Sequence, residues 1–450
     1  MDIAMTIILY IVNLMTFIIY IYRKYKTKKY VLSVSNLYIF QYAVMQFLIP
    51  LFTFAPIAWV KLLGDSAYAS AYIYYPYLLK SIAVNAIGFI AFILAMSHKE
   101  SSKRKAFKIE KTIRLVSHNI SWQLIMVEFY ACVLIWLFIT VFYAGGLSFN
   151  GTSNLSSETG GILYYVNTIV QQVIIMVTFA EIFMLINSGR KKHGMITFII
   201  GAAICLFTGR RQIIIMDIAF TFVVYYLYKK NKRRTSKKIL FKALKYVIPL
   251  IALGLIIQNI RGGASSTFSL LEDFIYGNTF CDVRDGGFIL YGYSKKYGSA
   301  ILYGKTYLAG LLSFIPSSIS AFRAKWNWGA FSTNTLFGWQ NHPGFRGGIG
   351  MEGYLNFGYF GAIIFPALAG CVFGSLEKYF KQNVLSAEKR CITHKEAVTI
   401  YFFINLAREL ICSSGLFFIY IMAAFVAVNV LIGSVLRRNR RNQICYTKIY

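Results

Sequence analysis

The sequence has 450 residues, of which 57% are hydrophobic, 17% aromatic and only 14% charged. This composition argues against an ordinary soluble enzyme and is typical of a polytopic helical membrane protein. The formal net charge of +30 does not indicate a nucleic-acid partner, because the basic residues stand in short clusters between apolar runs and not on one polar domain. Anionic membrane lipid and membrane topology account better for that charge.

Apolar runs predict an all-α protein with about 11 transmembrane helices, each close to the ~20 residues that cross a bilayer. We place them at residues 3–22, 36–60, 76–96, 121–144, 163–187, 194–209, 212–228, 239–260, 353–376, 396–411 and 415–436. The first run is long and has no basic region before it, so it predicts a retained span and not a cleaved signal.

Six basic clusters follow alternate predicted spans and hold most of the 47 lysine and arginine residues. They lie at residues 23–29, 99–114, 190–192, 229–238, 378–395 and 437–448. The positive-inside rule assigns all six to the cytoplasm, so we predict an outer N-terminus and a cytoplasmic C-terminus. An odd number of spans also places the two termini on opposite sides of the membrane.

The chain is predicted to divide into three parts. Residues 1–260 form a bundle of about eight helices, residues 261–352 form a large structured extracytoplasmic loop, and residues 353–450 form about three helices with a basic tail. The loop is too polar to span a bilayer and too aromatic for a solvated linker. Its apolar stretch at 303–313 predicts an interfacial or re-entrant helix that stops near Pro316. Three tryptophans predict anchoring in the headgroup layer, namely Trp326, Trp328 and Trp339.

The sequence lacks the usual motifs of metal and nucleotide chemistry. Its seven cysteines have no CxxC or metal spacing, which predicts neither disulfides nor structural zinc. Without a DxD, an HExxH or a P-loop, we predict neither a bound metal nor a nucleotide-driven motor. The run Gly348–Gly353 matches GxGxxG, but no strand precedes it. We interpret these glycines, and those at 358, 361, 370 and 374, as a surface for close helix packing.

Arginines recur where the predicted topology places the outer side of the membrane, and this opposes the charge rule. They are Arg210, Arg211, Arg261, Arg284, Arg346 and Arg408. Guanidinium is always charged and binds phosphate oxygens bidentately, so these residues predict a site for a diphosphate headgroup. Other roles stay open for these arginines. For Arg210 and Arg211 the alternative is that their side chains snorkel to lipid headgroups. For Arg408 it is an ion pair with an acid on another helix. Arg284 has the alternative of a surface salt bridge with Asp282 or Asp285.

Several short motifs, taken in order, resemble those of the bacterial O-antigen polymerases, which are Wzy-type oligosaccharide repeat-unit polymerases. The enterobacterial-common-antigen branch looks nearest. The matching pieces fall within residues 190–430 and are Gly209-Arg210-Arg211, Arg284-Asp285, Phe314-Ile315-Pro316, Asn341-His342-Pro343-Gly344, the glycine-rich run from Glu352 to Gly361, and Ala407-Arg408-Glu409.

This resemblance implies a GT-C-like glycosyltransferase of the bacterial inner membrane that needs no nucleotide sugar and no cofactor. Such an enzyme takes a glycan on undecaprenyl diphosphate and transfers it en bloc to the non-reducing end of another lipid-linked repeat unit. By the same resemblance, Arg210, Arg211, Arg284 and Arg408 bind the diphosphate in an outward cavity. The expected partners are the lipid-linked oligosaccharide, membrane lipid, a chain-length regulator and a flippase, with no nucleic acid.

The residue chemistry agrees with this implication. Breaking a sugar–diphosphate bond builds negative charge on the leaving group, and fixed cations stabilise that charge. The acceptor hydroxyl must also lose a proton to a base within about 3 Å. The candidates are His342, Asp285 and Glu352, and the sequence does not rank them.

Two other functions stay open, a lipid-linked oligosaccharide flippase and an O-antigen ligase. A flippase would also need a cationic cavity for the diphosphate. The long outer loop and the lack of an evident internal repeat favour the enzyme over the flippase. The sequence separates a polymerase from a ligase poorly.

Overall fold

A computed structural model of the chain describes residues 3–26, 71–102, 107–143, 161–188, 193–207, 282–339, 344–383, 393–412 and 417–447, with a few single positions between 39 and 59. No strand occurs among these residues, so the all-α prediction is confirmed for the described part. The helices are α1 (Ile3–Lys26), α2 (Tyr75–Ser101), α3 (Phe107–Asn119), α4 (Trp122–Phe142), α5 (Gly161–Ser188), α6 (His193–Phe207), α7 (Asp282–Tyr297), α8 (Lys305–Leu311), α9 (Ala321–Trp326), α10 (Gly348–Asn383), α11 (His394–Cys412) and α12 (Phe417–Thr447).

Six segments of the described chain are long and apolar enough to cross a membrane. They are Ala4–Lys24, Ala71–Ser101, Trp122–Phe142, Ile162–Leu185, Gly348–Tyr379 and Ile419–Leu436. Each overlaps one predicted span, and the shorter apolar helix α6 overlaps a seventh. The predicted spans 36–60, 212–228 and 239–260 lie wholly or mostly outside the described residues. The count of about 11 and the GT-C-like architecture therefore stay predictions.

The chain forms two compact units. The first comprises residues 1–103, 264–378 and 406–417, and the second comprises residues 104–263, 379–405 and 418–450. The predicted division at residues 260 and 352 concerns membrane topology, which these units do not address, and it stays a prediction.

In the first unit, α1, α2 and the C-terminal part of α10 run in the same direction. Phe17 and Phe89 pack with 6.3 Å between their ring centroids, and further along the two helices Lys24 forms an ion pair with Glu100. Near the end of α10, Lys378 donates a hydrogen bond from Nζ to the Ser102 carbonyl at 2.6 Å. The basic ends of all three helices therefore meet at one end of this unit.

Helix α10 is broken into two arms. Phe357 has φ −141° and ψ 19°, and Gly358 has φ 63° and ψ −153°, so neither residue is helical. A methyl group on Gly353 would overlap the Gly361 carbonyl, and a methyl group on Gly361 would overlap the Gly353 carbonyl. Residues eight apart in one straight helix lie about 12 Å apart. The arms 348–356 and 359–383 therefore fold back on each other as a helical hairpin.

The predicted packing role of the glycines is confirmed along the second arm. A methyl group on Gly370 would overlap the Phe92 carbonyl, and one on Gly374 would lie 2.6 Å from the Met96 carbonyl oxygen. These short approaches bring the backbones of α10 and α2 together, as small residues do in membrane helix pairs.

The predicted helix within 303–313 is also present. It is α8, which ends at Leu311, before Pro316. Two backbone N–H groups ahead of it, of Leu302 and Tyr303, donate to the carbonyls of Leu355 and Asn356 at 3.0 Å each. They satisfy carbonyls at the end of the first arm of α10 that lack a partner inside the helix.

An aromatic core holds the elements between α7 and α10 together, and it corrects the prediction for two tryptophans. Trp326 and Trp328 are 8% and 5% exposed. Trp328 donates from Nε1 to the Phe345 carbonyl at 3.0 Å, and the Trp326 ring lies 5.6 Å from that of Phe331. These two side chains pack inside the protein and leave little surface for lipid headgroups, so their predicted headgroup anchoring is wrong.

In the second unit, two acids on apolar helices lie against polar partners. Glu181, about two turns before the end of apolar α5, lies 3.4 Å from Nε2 of His394 on α11. Glu128 on α4 accepts a hydrogen bond from Nδ2 of Asn429 on α12 at 2.7 Å. Such pairing is what a carboxyl group within apolar helices requires.

Candidate functional site

Helix α7 begins with a buried cluster of acids around one arginine. Arg284 is 1% exposed and Asp285 is 3% exposed. Nε and Nη2 of Arg284 both donate to Oδ1 of Asp285, at 3.1 and 2.9 Å. The sequence left two possible salt-bridge partners for Arg284, Asp282 and Asp285. The structure shows the salt bridge with Asp285, and it is buried instead of lying on the surface. An ion pair in this setting depends on both partners, because either charge alone would be strongly destabilising.

The segment before α10 lies against the same carboxylate. The backbone N–H of Arg346 donates to Oδ2 of Asp285 at 3.4 Å. The neighbouring Phe345 is held by its own N–H, which donates to Oγ of Ser332 at 2.9 Å. The side chain of Arg346 is exposed. The cluster therefore has one guanidinium inside and one at its surface.

Asp282 stands at the first position of α7 with an open acceptor. It is 7% exposed, and its Oδ1 has no hydrogen-bond partner among the described residues. Burial raises the pKa of the Asp282 carboxyl to about 7, with Arg346 opposing that rise and Asp285 adding to it. The group therefore changes its charge near neutral pH, unlike an ordinary aspartate.

Helix α2 packs directly against this cluster. Glycines let α7 approach it closely, since a methyl group on Gly287 would lie 3.0 Å from Cα of Leu78. Oγ of Ser81 donates to the Val283 carbonyl at 2.7 Å, and Nδ2 of Asn85 donates to the Ser81 carbonyl at 3.0 Å. Asn85 lies near the middle of Ala71–Ser101, so α7 starts about 20 Å along that segment.

The start of α10 reaches the same place. A methyl group on Gly348 would lie 3.5 Å from Oδ1 of Asn85 and 3.8 Å from Oδ2 of Asp282. Two helix N-termini, of α7 and of α10, therefore meet beside the middle of α2. The first turn of a helix has N–H groups without intrahelical partners and the positive end of its dipole, so such a place favours negative charge.

Glu352 belongs to a neighbouring but different network. It is fully buried, and its Oε1 accepts a hydrogen bond from Oγ1 of Thr306 at 2.7 Å. Nδ2 of Asn356 donates to that same Thr306 oxygen at 2.7 Å and to the Glu352 carbonyl at 2.8 Å. This network ties α8 to the first arm of α10. The adjacent Met351 packs instead on Gly286, so Glu352 points away from the α7 cluster.

A family model described as O-antigen polysaccharide polymerase Wzy matches residues 3–439. The chain belongs to the Wzy family. Comparisons with curated proteins and with solved structures gave no match. Wzy proteins are multi-pass inner-membrane proteins that polymerise lipid-linked repeat units into polysaccharide. The family predicted from the short motifs is thus confirmed, while nearness to the enterobacterial-common-antigen branch stays a prediction.

The structure brings together three of the residues predicted for a Wzy site, which are Arg284, Asp285 and Arg346. Glu352 lies in the adjoining network. The remaining predicted residues cannot be placed: Arg210, Arg211, Arg261 and His342 lie outside the described residues, and Arg408 is on α11 with its side chain outside the description. Their convergence on a diphosphate stays a prediction. No three potential metal-ligating side chains come together in the described part of the chain, and the predicted independence from metal is not tested by that.

Sequence reasoning missed Asp282, Ser81 and Asn85 as parts of this Wzy cluster. A signal for Asp282 was its spacing of three from Asp285, because residues three apart share one face of a helix. A signal for Ser81 and Asn85 was their spacing of four within an apolar run, which places two polar side chains on one face of a span.

Proposed function

We propose that this Wzy family member joins undecaprenyl-diphosphate-linked oligosaccharide repeat units into a surface polysaccharide, an O-antigen or a capsule, on the outer face of the inner membrane. The observation that carries the proposal is the meeting of two helix N-termini with Arg284 and Arg346 beside the middle of α2. Membership of the Wzy family supplies the class of reaction.

The outer-face assignment is supported by the direction of the helices. The basic ends of α1, α2 and α10 meet at one end of the first unit, and the positive-inside rule assigns such an end to the cytoplasm. Helix α7 runs from the middle of α2 towards the opposite end, where the Tyr291 ring lies 4.9 Å from that of Tyr74. The start of α7 is then reached from the outer side.

The diphosphate of the donor would be bound at this cluster. Arg346 presents an exposed guanidinium, which can bind two phosphate oxygens at once. The starts of α7 and α10 add the positive ends of two helix dipoles. In this proposal Arg284 fixes the cluster through its ion pair with Asp285. Arg210, Arg211, Arg261 and Arg408 are proposed to complete the diphosphate site.

The reaction forms a bond between the acceptor oxygen and the anomeric carbon of the donor, and it breaks the bond from that carbon to the diphosphate. Negative charge grows on the leaving diphosphate, so cationic groups fixed in a dry site lower the barrier. Arginine supplies these charges here, and the proposed transfer is metal-independent. A flippase that delivers the repeat units and a chain-length regulator are the proposed partners.

The test uses the purified full-length protein with lipid-linked repeat units, extracted from source cells that lack its gene. We expect a ladder of polymer lengths on undecaprenyl diphosphate. Single transfer to a foreign lipid or protein acceptor would instead identify a ligase. No covalent product, together with movement of the repeat units across vesicle membranes, would identify a flippase and refute the proposed polymerase.

A further inference from the structure

The carboxylate of Asp282 is buried with one oxygen unused. Its Oδ1 has no hydrogen-bond partner among the described residues, and the side chain is 93% buried. A buried acceptor without a partner costs free energy, and a catalytic role is one explanation for such a group. A donor that arrives with the substrate, such as a sugar hydroxyl, would complete this site.

The carboxylates proposed from sequence are less open than Asp282. Asp285 has Oδ1 engaged by two Arg284 nitrogens and Oδ2 engaged by the Arg346 N–H. Glu352 accepts from Thr306 and is fully buried in the neighbouring network. A carboxylate oxygen that already accepts from fixed donors is not open to a sugar hydroxyl. Geometry therefore favours Asp282 over both.

The surroundings of Asp282 combine burial with charge. From the segment before α10, the exposed Arg346 faces it; from α7, Asp285 faces it and is paired with Arg284. The first arm of α10 presents Gly348, and α2 contributes the uncharged Asn85, both close to the carboxylate. The exposed Arg346 side chain marks the open side of the cluster. Arg346 is close enough to Asp282 to oppose the rise of its pKa, so a diphosphate bound by Arg346 would lie near this carboxylate.

We propose that Asp282 is the catalytic base that takes the proton from the acceptor sugar hydroxyl. The inference rests on the proposed function. As the acceptor oxygen bonds to the anomeric carbon of the donor, its proton passes to Oδ1 of Asp282 and the bond from that carbon to the diphosphate breaks. Asp282 then releases the proton to solvent or to the departing diphosphate, and the carboxylate is restored.

The pH dependence of the reaction follows from the protonation state of the Asp282 carboxyl group. A base must be deprotonated, and the pKa of Asp282 is raised by burial to about 7. We expect the rate of polymer formation to rise with pH through about 7 and to level off above it. A carboxylate with an ordinary pKa would leave the rate flat across this range.

The experiment measures polymer formation by the full-length protein, with extracted lipid-linked repeat units as the probe, from pH 5 to pH 9. Asp282→Asn is expected to lose about 10²- to 10⁴-fold in rate and to lose the rise near pH 7. Thermal protection by the donor lipid should remain, because the diphosphate-binding groups are intact. Asp282→Glu keeps a carboxylate and should recover part of the rate, which covers the case in which the asparagine variant does not fold.

The matched control is Glu128→Gln, a carboxylate-to-amide change on α4 that keeps an oxygen to accept the hydrogen bond from Asn429, and it should keep the pH profile of the unmodified protein. An Asp282→Asn variant that polymerises at the unmodified rate would overturn the base role. So would a loss of donor protection that matches the loss of rate, since Asp282 would then serve binding. If the unmodified protein forms no polymer at any pH, the proposed function itself fails, and that result is seen before any variant is made.

Discussion

At the scale of single residues, the buried pair of Arg284 and Asp285 makes the cluster sensitive to the loss of one charge. Removing one partner of a buried ion pair leaves the other charged and desolvated, at a cost of about 3–5 kcal/mol. Replacing both partners with neutral side chains avoids that cost, because no unpaired charge is then left buried. Structural and functional roles of Arg284 can therefore be separated.

We expect Arg284→Gln to lower the melting temperature of the protein strongly. The double variant Arg284→Gln with Asp285→Asn should recover much of the lost stability, as followed by thermal unfolding in detergent. Polymer formation should stay lost in both variants if Arg284 also serves the diphosphate. Equal melting temperatures for the single and double variants would contradict a coupled buried pair.

Asp282 makes a second prediction, about stability and pH. Its pKa is raised in the folded protein from 3.8 to about 7, so between these values the folded state holds the proton more tightly than the unfolded state. The free energy of unfolding therefore falls as pH rises from about 4 to about 7. Asp282→Asn removes this titration. The variant should be more stable than the unmodified protein near pH 8, by an upper limit of about 4 kcal/mol.

The measurement is the melting temperature of both proteins near pH 4 and near pH 8. The difference should be small near pH 4, where Asp282 is protonated in the folded chain and about half protonated in the unfolded chain. A variant that is less stable than the unmodified protein at both pH values would show that the carboxylate is needed for the fold. A gain in stability with a loss of polymerisation is the pattern expected of a group kept for chemistry.

At the scale of elements, the break in α10 depends on one glycine. With φ 63° and ψ −153°, Gly358 occupies a region of backbone space that is essentially closed to other residues. Gly358→Ala should cost about 1–3 kcal/mol, measured as a lower melting temperature. No neighbouring atom lies within 4 Å of the added methyl group, so the cost would come from the backbone alone.

The matched control for Gly358→Ala is Gly350→Ala in the first arm of the same helix. There the nearest atom to the new methyl group lies 3.6 Å away, an ordinary contact, and alanine is the better helix former. This control should be neutral or slightly stabilising. If both variants lose the same stability, the loss does not come from the conformation of Gly358.

The sequence predicted the packing glycines of α10 but not its hairpin. The pattern of glycines at 361, 370 and 374 was visible, and close approach to α2 follows from it. The reversal at Phe357 and Gly358 depends on two dihedral angles, which hydropathy does not encode. Likewise α7 was predicted only as part of a loop, because Gly286 and Gly287 lower its helix propensity. Those same glycines let it pack on α2, so tertiary contact outweighs propensity.

The candidate site was predictable only in part for the same reason. Arg284 and Asp285 could be named from their chemistry in a region between spans. That their pair is buried, and that Asp282 is left with an open oxygen, depends on how α2, α7 and α10 meet. Trp326 and Trp328 show the opposite error, since a pattern typical of headgroup anchors belongs here to an aromatic core.

At the scale of the whole molecule, charge and helix direction together predict which side of the membrane the cluster faces. Helix α2 carries Lys99 at one end, close to the basic ends of α1 and α10. At its other end α7 packs beside Tyr74 and continues past it. The two ends of Ala71–Ser101 are about 45 Å apart, enough to lie on opposite sides of a bilayer.

We expect single cysteines at these two ends to be labelled from opposite sides, in a variant from which all seven native cysteines have been removed. Ser294→Cys, on an exposed position of α7, should react with a membrane-impermeant maleimide on intact spheroplasts. Ser101→Cys, exposed at the basic end of α2, should react only after the membrane is permeabilised. The reverse pattern would place the cluster on the cytoplasmic side, where the proposed outer-face polymerisation could not use it, whatever the chemistry of Asp282.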